Sequence, residues 1–111
     1  MRIVLALLLF ISLPLQADEI RLSDDLQVYP LTEHTWVHRS WEVIQGKRYP
    51  SNGLIIIEDD TLTLIDTAWG EAPTARLLDW MEQQFGKAPD LAILTHSHDD
   101  RMGGARTLAE R

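Results

Sequence analysis

The feature that most constrains the fold of this chain is an apolar run that leads directly into a metal-binding pattern. Residues 91–94, Leu-Ala-Ile-Leu, are typical of a buried strand, and His-Ser-His-Asp-Asp-Arg follows at residues 96–101. Neutral imidazoles and a carboxylate are ordinary zinc ligands, and side chains two apart in an extended loop point the same way. We therefore expect His96, His98 and Asp100 to meet at a strand end, where α/β proteins bind their ligands. The alternative is a polar surface turn that happens to contain two histidines.

The rest of the chain follows strand and helix periodicities. A helix is predicted over residues 71–85, with Pro73 in its first turn and Gly86 at its end. A further helix is expected to begin after Gly103 and Gly104, while residues 49–53 are predicted to form a loop. The apolar run at residues 54–58 predicts a strand that is buried on both faces. Strands are predicted over residues 26–31, 35–38 with 41–44, 54–58 paired in a hairpin with 61–66, and 90–95. This order predicts an α/β fold with a buried sheet.

Several other large apolar side chains and two further histidines are predicted to have structural roles rather than to bind metal or substrate. Trp36, Trp80, Met81 and Phe85 fall at strand or helix spacing and are predicted to lie in the core. His34 and His38 have no partner donor at ligand spacing. We interpret these two histidines as surface or hairpin residues and not as metal ligands.

The N-terminus has the pattern of a secretory signal. Arg2 is followed by the apolar residues 3–11, and the small residue Ala17 precedes Asp18 and Glu19. This pattern predicts a signal peptide over residues 1–17, with cleavage after Ala17. The alternative, a membrane anchor, is disfavoured because the apolar stretch is broken at Pro14, and a spanning helix needs about 20 apolar residues.

The charge balance excludes some classes of partner. The chain has 17 acidic and 10 basic residues and a formal net charge of −7. Removal of residues 1–17 would take away Arg2 and no acid, so the remainder is still more acidic. We expect no nucleic-acid partner and, after signal cleavage, no membrane contact. The chain has no cysteine, so an exported form would have no disulfide and would depend on packing or metal for stability.

Three segments together resemble the class B metallo-β-lactamases, subclass B1. They are His-x-His-x-Asp-Arg at residues 96–101, Leu-Ile-Asp-Thr-Ala-Trp-Gly at 64–70, and Tyr-Pro-Ser-Asn-Gly at 49–53. His-x-His-x-Asp alone marks a broad superfamily of metal hydrolases, in most of which a histidine stands where this chain has Arg101. The resemblance covers residues 18–111 and implies the N-terminal half of an αββα sandwich, with the C-terminal half absent from the chain.

The resemblance also implies a reaction. His96 and His98 resemble two of the three histidines of a first zinc site, and Asp100 resembles the carboxylate ligand of a second. The complete site would hold two zinc ions, and a metal-bound hydroxide, oriented by Asp100 as a catalytic group, would open the β-lactam ring. The implied protein is a periplasmic, monomeric enzyme that confers antibiotic resistance and acts on small-molecule β-lactams.

Further residues receive supporting roles by the same resemblance. Asp66 would brace the ligand loop, although it could instead cap the strand end, and Arg101 would contribute charge beneath the second site. Trp69 would line the substrate cleft. Residues 38–50 match the family's mobile flap over the substrate, in which Trp41, with Val43 and Ile44, would contact the substrate. Ordinary hairpin core is an equal alternative for these three residues.

The chain also departs from the family pattern. The third histidine of the first site, the cysteine and last histidine of the second, and the group that holds the substrate carboxylate have no counterpart here. We therefore expect this chain to be an inactive fragment when alone, because catalytic zinc normally takes three protein ligands and a water. Two alternatives stay open: another metal-dependent hydrolase of the superfamily, such as a lactonase or thioesterase, and a non-catalytic truncated secreted polypeptide.

Overall fold

A computed structural model describes residues 18–111, so the predicted signal peptide at residues 1–17 lies outside the described residues. Within the described range, six strands and three helices follow one another along the chain. They are β1 (Ile20–Ser23), β2 (Leu26–Thr32), β3 (Thr35–Ile44), β4 (Lys47–Glu58), β5 (Thr61–Ile65), α1 (Glu71–Phe85), β6 (Leu91–Ile93), α2 (Asp99–Met102) and α3 (Ala105–Ala109).

The strands form one sheet in their order along the chain, from β1 to β6. Strands β1 to β5 pair antiparallel with their neighbours, and β6 pairs parallel to β5. A parallel pair needs a crossover connection, and α1 supplies it between β5 and β6. The predicted α/β fold class is thereby confirmed.

Tight turns fix the register of the two central hairpins. Gln45 and Gly46, which join β3 to β4, have φ angles of 52° and 76°, and two positive φ values suit a two-residue hairpin turn. The hairpin predicted over residues 54–66 is confirmed as β4 and β5, with Asp59 in the turn. The two predicted segments 35–38 and 41–44 are one continuous strand, β3.

The loop predicted at residues 49–53 is wrong, because these residues belong to β4. Proline and glycine usually interrupt strands, and this rule misleads here for a physical reason. The first half of β4 pairs only with β3, since β5 joins β4 from Leu54 onwards. Pro50 therefore lies in a two-stranded segment, where a missing backbone N–H is tolerated.

Helix α1 packs its apolar side chains against the sheet, as predicted. Leu77, Leu78 and Met81 are buried, and each fully buried side chain of this kind contributes about 1.5–3 kcal/mol to folding. Their partners are buried side chains of β2, β4 and β5, namely Leu26, Val28, Ile55, Leu62 and Leu64. The helix ends at Gly86, whose φ of 78° suits the left-handed conformation that follows many helices.

Aromatic side chains extend this core, which confirms their structural assignment. Trp36 and Trp80 pack edge to face with ring centroids 5.1 Å apart. Phe85 completes the cluster at 6.2 Å from Trp36 and 5.5 Å from Trp80. All three rings pack against the buried core as half-buried residues.

The predicted burial of two strands is only partly correct. Ile55 is fully buried, but Ile56 and Ile57 on the same strand are half-buried. In β6, Leu91 is 51% and Ile93 46% exposed, because β6 is the edge strand and pairs only with β5. None of the helices in the described part of the chain is long and apolar enough to cross a membrane.

Candidate metal centre

The three predicted ligands lie in residues 96–100, here called the ligand run, between the end of β6 and the first turn of α2. His96 and His98 are exposed and Asp100, in the first turn of α2, is half-buried. The two imidazole rings have centroids 4.7 Å apart. One ligand atom from each of the three side chains lies within 4.8 Å of the other two. The structure therefore brings the three predicted ligands together.

This donor set suits zinc. Zinc binds imidazole nitrogen and carboxylate oxygen at about 2.0–2.2 Å, so tetrahedral ligand atoms lie about 3.4 Å from one another. The observed upper limit of 4.8 Å is somewhat wider. Because His96 and His98 are exposed, rotation of their side chains can close this gap without disturbing the core. The three residues fit as ligands to a divalent metal.

Asp66 holds the chain on both sides of the ligand run. This residue follows β5, is 1% exposed and has a left-handed backbone with a φ of 62°. Its Oδ1 accepts hydrogen bonds from the Thr95 backbone N–H at 2.7 Å and the Thr95 hydroxyl at 3.0 Å. Its Oδ2 accepts one from Arg101 at 3.2 Å. Thr95 precedes His96 and Arg101 follows Asp100, so a single buried carboxylate anchors both ends of the run.

Arg101 joins the ligand run to its surroundings. Its guanidinium lies 3.2 Å from the carboxylate of Asp66 and 3.4 Å from that of Asp100, and it also donates to the Asn52 carbonyl. Its own carbonyl accepts hydrogen bonds from the N–H and hydroxyl of Thr67. Charge and backbone contacts thus hold α2 against the middle of β4 and the residues that follow β5.

Two supporting residues were not singled out from the sequence. The Ser51 hydroxyl, which is buried in β4, donates to the Asp100 carbonyl at 2.8 Å. Thr67, just after Asp66, accepts from the Gly104 N–H at 3.1 Å. Serine and threonine are common on every protein surface, and only the packing of α2 and Gly104 against β4 and the residues after β5 brings these two into contact with them.

A cleft of about 730 Å³ lies beside the ligand run. Trp69, which the resemblance assigns to the substrate cleft, forms part of its wall. The tip of the β3–β4 hairpin forms another part, including Val43, which is 61% exposed, and Ile44, which is 47% exposed. The remaining wall residues are Glu42, Gln45, Gly70, Glu71, Asp99 and Gly103.

Trp41 does not line this cleft with Trp69. The guanidinium of Arg48 lies over the Trp41 ring at 4.4 Å from its centroid. Both residues line a separate recess with Arg21, Ser23, Asp24 and Gln27. Of the three hairpin side chains expected to face the substrate, Val43 and Ile44 lie at the cleft and Trp41 packs elsewhere.

His38 departs most from its sequence-based interpretation. It belongs to the hairpin, as expected, but it is 1% exposed rather than a surface residue, whereas His34 is exposed. Its Nε2 donates to the carbonyl oxygens of Ile65 and Asp66, both at 3.1 Å. Burial lowers the pKa of His38 to about 4, so the imidazole is neutral at neutral pH.

Comparisons with known proteins agree with this geometry. The family model of the metallo-beta-lactamase superfamily matches residues 46–111. A curated relative, metallo-beta-lactamase type 2 of Bacillus cereus, is 36% identical over 86 residues, which cover 78% of this chain and 34% of that protein. The protein of the same name from Bacillus sp. (strain 170) is 35% identical with the same coverage. The chain thus spans about a third of the length of these relatives.

Solved structures give the same result. A metallo-beta-lactamase of Erythrobacter litoralis superposes with a TM-score of 0.76 at 33% identity, covering 84% of this chain and 41% of that one. The mono-zinc form of the metallo-beta-lactamase FIM-1 from Pseudomonas aeruginosa gives a TM-score of 0.72 at 33% identity, covering 81% of this chain and 41% of that one. These scores agree with the fold that the resemblance implied.

Proposed function

Because the chain belongs to the metallo-beta-lactamase superfamily, we propose that this protein is a metal-dependent hydrolase and, more narrowly, a zinc-dependent β-lactamase. The observation that carries the proposal is the convergence of His96, His98 and Asp100, whose ligand atoms lie within 4.8 Å of one another. The substrate would be a small-molecule β-lactam. The similar proteins named above, including one in a mono-zinc form, support this choice of metal and substrate.

Three side chains of this chain would hold the metal. His96 and His98 would donate imidazole nitrogen and Asp100 a carboxylate oxygen, as parts of a site for two zinc ions. Bound zinc supplies a Lewis acid that polarises a carbonyl group and lowers the pKa of a coordinated water to about 7. Asp100, as the catalytic carboxylate among the ligands, would accept a hydrogen bond from the attacking water and orient it toward the carbonyl carbon.

Surrounding residues would keep these ligands in place. The Asp66 carboxylate binds Thr95 and Arg101 on either side of the run, so it restricts the positions that His96 and Asp100 can take. Fixed ligands lower the cost of assembling a metal site, and changes in such supporting residues commonly reduce metal affinity or activity by about 10–100-fold. Arg101 would add positive charge close to Asp100 without binding the metal itself.

The cleft beside the ligand run would take the substrate. Trp69, Val43 and Ile44 offer apolar surface to a drug-sized molecule, and Asp99 and Gly103 belong to the same wall. The β3–β4 hairpin would act as a flap, because its tip extends beyond the part of β4 that pairs with β5. For Trp41 to contact the substrate, as the resemblance implies, its ring would have to move away from the Arg48 guanidinium.

The exported location is also part of the proposal. Residues 1–17 have the sequence pattern of a secretory signal, and the absence of cysteine from the chain is compatible with an oxidising compartment because no disulfide is needed. We propose a periplasmic enzyme that protects its host from β-lactam antibiotics and acts as a monomer.

The test is hydrolysis of a carbapenem by the protein produced from its native gene, with and without a metal chelator. We expect hydrolysis that the chelator abolishes and added zinc restores. His98→Ala and Asp100→Ala should each reduce activity by more than about 100-fold, the upper range for supporting residues. His34→Ala replaces an exposed histidine on the β2–β3 turn and is the matched control, with activity unchanged.

Each contrary result has a definite meaning. Near-native activity of His98→Ala or Asp100→Ala would refute the ligand assignment. Chelator-sensitive hydrolysis of a lactone or thioester, without turnover of any β-lactam, would keep the metal chemistry and refute the substrate class. Zinc-independent hydrolysis would refute the proposal as a whole.

A further inference from the structure

A buried histidine that the proposed reaction does not use lies behind the ligand run. The His38 ring is 1% exposed and its Nε2 lies 3.1 Å from the carbonyl oxygens of both Ile65 and Asp66. Carbonyl oxygens only accept hydrogen bonds, so Nε2 must carry the ring proton and donate it. The other ring nitrogen, Nδ1, is buried and has no hydrogen-bond partner among residues 18–111. The neutral ring is therefore held in one tautomer.

The ring reaches these carbonyl groups by passing over a glycine. His38 on β3 pairs with Gly53 on β4, and β5 lies on the other side of β4. A Cβ atom at position 53 would collide with Nε2 of His38 and with the Ile65 carbonyl oxygen. Because Gly53 has no side chain, the imidazole can span one strand and bind the end of the next.

The carbonyl groups that His38 binds belong to a strained turn. Asp66 has a φ of 62°, a left-handed conformation that residues with a side chain seldom adopt. Its backbone N–H donates to the Ile93 carbonyl at 2.8 Å on β6. His38 donates to this turn from the opposite side. The backbone of Asp66 is thus held by β3 and by β6 at once.

Because the Asp66 backbone is held in this way, the position of its carboxylate is fixed as well. That carboxylate accepts hydrogen bonds from Thr95 and Arg101, which flank the ligand run. We propose that His38 is a positioning residue for the metal centre: by holding the Ile65 and Asp66 carbonyl groups, it orients the carboxylate that anchors both ends of residues 96–100. This inference rests on the proposed function only in assuming that His96, His98 and Asp100 bind zinc.

The experiment compares His38→Leu, which removes the donor, with His38→Gln, whose amide Nε2 can donate from nearly the same place. Zinc affinity is measured by chelator competition in the protein produced from its native gene. We expect His38→Leu to weaken zinc binding by about 10–100-fold, as for other residues that support metal ligands. His38→Gln should recover most of this loss, because the hydrogen bond is restored.

Leu77→Ala is the control for a general loss of stability. Leu77 is fully buried on α1, and its side chain has no group that could hydrogen-bond to Asp66. We therefore expect its truncation to lower stability without changing zinc affinity at a temperature where the protein is folded. An effect of His38→Leu no larger than that of Leu77→Ala, or no recovery in a folded His38→Gln protein, would overturn the proposal.

Two metal-free measurements separate this inference from the proposed function. The ¹⁵N NMR spectrum of the wild-type protein should show His38 protonated at Nε2, and the opposite tautomer would refute the inference even if no variant folds. Amide hydrogen exchange at Thr95 should speed up in His38→Leu and return toward wild type in His38→Gln. Wild-type zinc binding with unchanged Thr95 exchange in His38→Leu would refute the role of His38 and leave the proposed function intact. Absence of zinc binding in the wild type, with the expected exchange changes, would refute the proposed function and leave the link from His38 to Asp66 intact.

Discussion

Replacement of Asp66 gives the most detailed prediction about stability. Asp66→Ala removes the acceptor for the Thr95 N–H at 2.7 Å, for Arg101 at 3.2 Å and for the Thr95 hydroxyl, which lies 3.0 Å from Oδ1 and 2.9 Å from Oδ2. Hydrogen bonds to a charged group contribute about 1.5–3 kcal/mol each when well shielded. Thr95 is exposed and the Arg101 side chain is 32% exposed, so water can replace part of the lost hydrogen bonding. Arg101 also keeps its hydrogen bond to the Asn52 carbonyl. We take about 2–3 kcal/mol for the three bonds together.

The backbone adds a second cost. Asp66 has a φ of 62°, and this left-handed region costs an L-residue about 1–2 kcal/mol, less for aspartate than for alanine because the short polar side chain can hydrogen-bond locally. Only the difference between the two residues counts, so the expected loss in the free energy of unfolding for Asp66→Ala is about 2–4 kcal/mol. Asp66→Asn keeps one acceptor oxygen for Thr95 and tolerates the left-handed backbone. It loses the charge opposite Arg101 and the hydrogen bond from Arg101, because the amide NH2 that replaces Oδ2 only donates. We expect about 1–2 kcal/mol for this variant.

Equilibrium urea unfolding of the wild type and the two variants measures both values. The comparison between alanine and asparagine is informative because the two variants lose the same charge and differ in hydrogen bonding and backbone tolerance. A loss below 1 kcal/mol for Asp66→Ala, or equal losses for the two variants, would refute the assignment of Asp66 as the anchor of the ligand run.

Three further predictions follow from buried groups. Burial lowers the pKa of His38 to about 4, so between pH 6.5 and 4 the unfolded chain binds a proton at His38 and the folded chain does not. The free energy of unfolding should therefore fall with decreasing pH by up to about 1.4 kcal/mol per pH unit. Urea titrations should show this contribution in the wild type and not in His38→Gln. Leu77→Ala should cost about 2–5 kcal/mol in thermal unfolding, since the side chain is fully buried in the core. Gly104→Ala should cost about 1–3 kcal/mol by the same measurement, because the added Cβ would collide with the Thr74 side chain on α1. A neutral effect would mean that the Gly104 backbone does not pack closely against Thr74.

The sequence predicted the elements whose signals are local. Alternation of apolar residues located β2 and β5, and continuous apolar runs located β6 and the second half of β4. The helical stripe with Leu77 and Met81 located α1. The meeting of His96, His98 and Asp100 was also predictable, because three ligands within five residues of one loop need no long-range information. The resemblance added the fold, which the family model and the solved structures agree with.

Residues that act through long-range pairing were not predictable in this way. His38 was assigned to the surface or hairpin because no donor lies near it in sequence, yet its partners at residues 65 and 66 are brought to it by the order of β3, β4 and β5. Ser51 was placed in a loop because Pro50 and Gly53 flank it. The strand register places His38 beside Gly53, which makes room for the imidazole. The contact of Ser51 with the Asp100 carbonyl is visible only in the three-dimensional structure.

The central claim is that His96, His98 and Asp100 bind zinc, and an anomalous diffraction map recorded at the zinc absorption edge tests it most directly. In crystals of the zinc-loaded protein produced from its native gene, the account predicts a peak at about 2.0–2.2 Å from imidazole nitrogens of His96 and His98 or from an oxygen of Asp100. A zinc peak bound elsewhere, with these three side chains free of metal, would contradict the account.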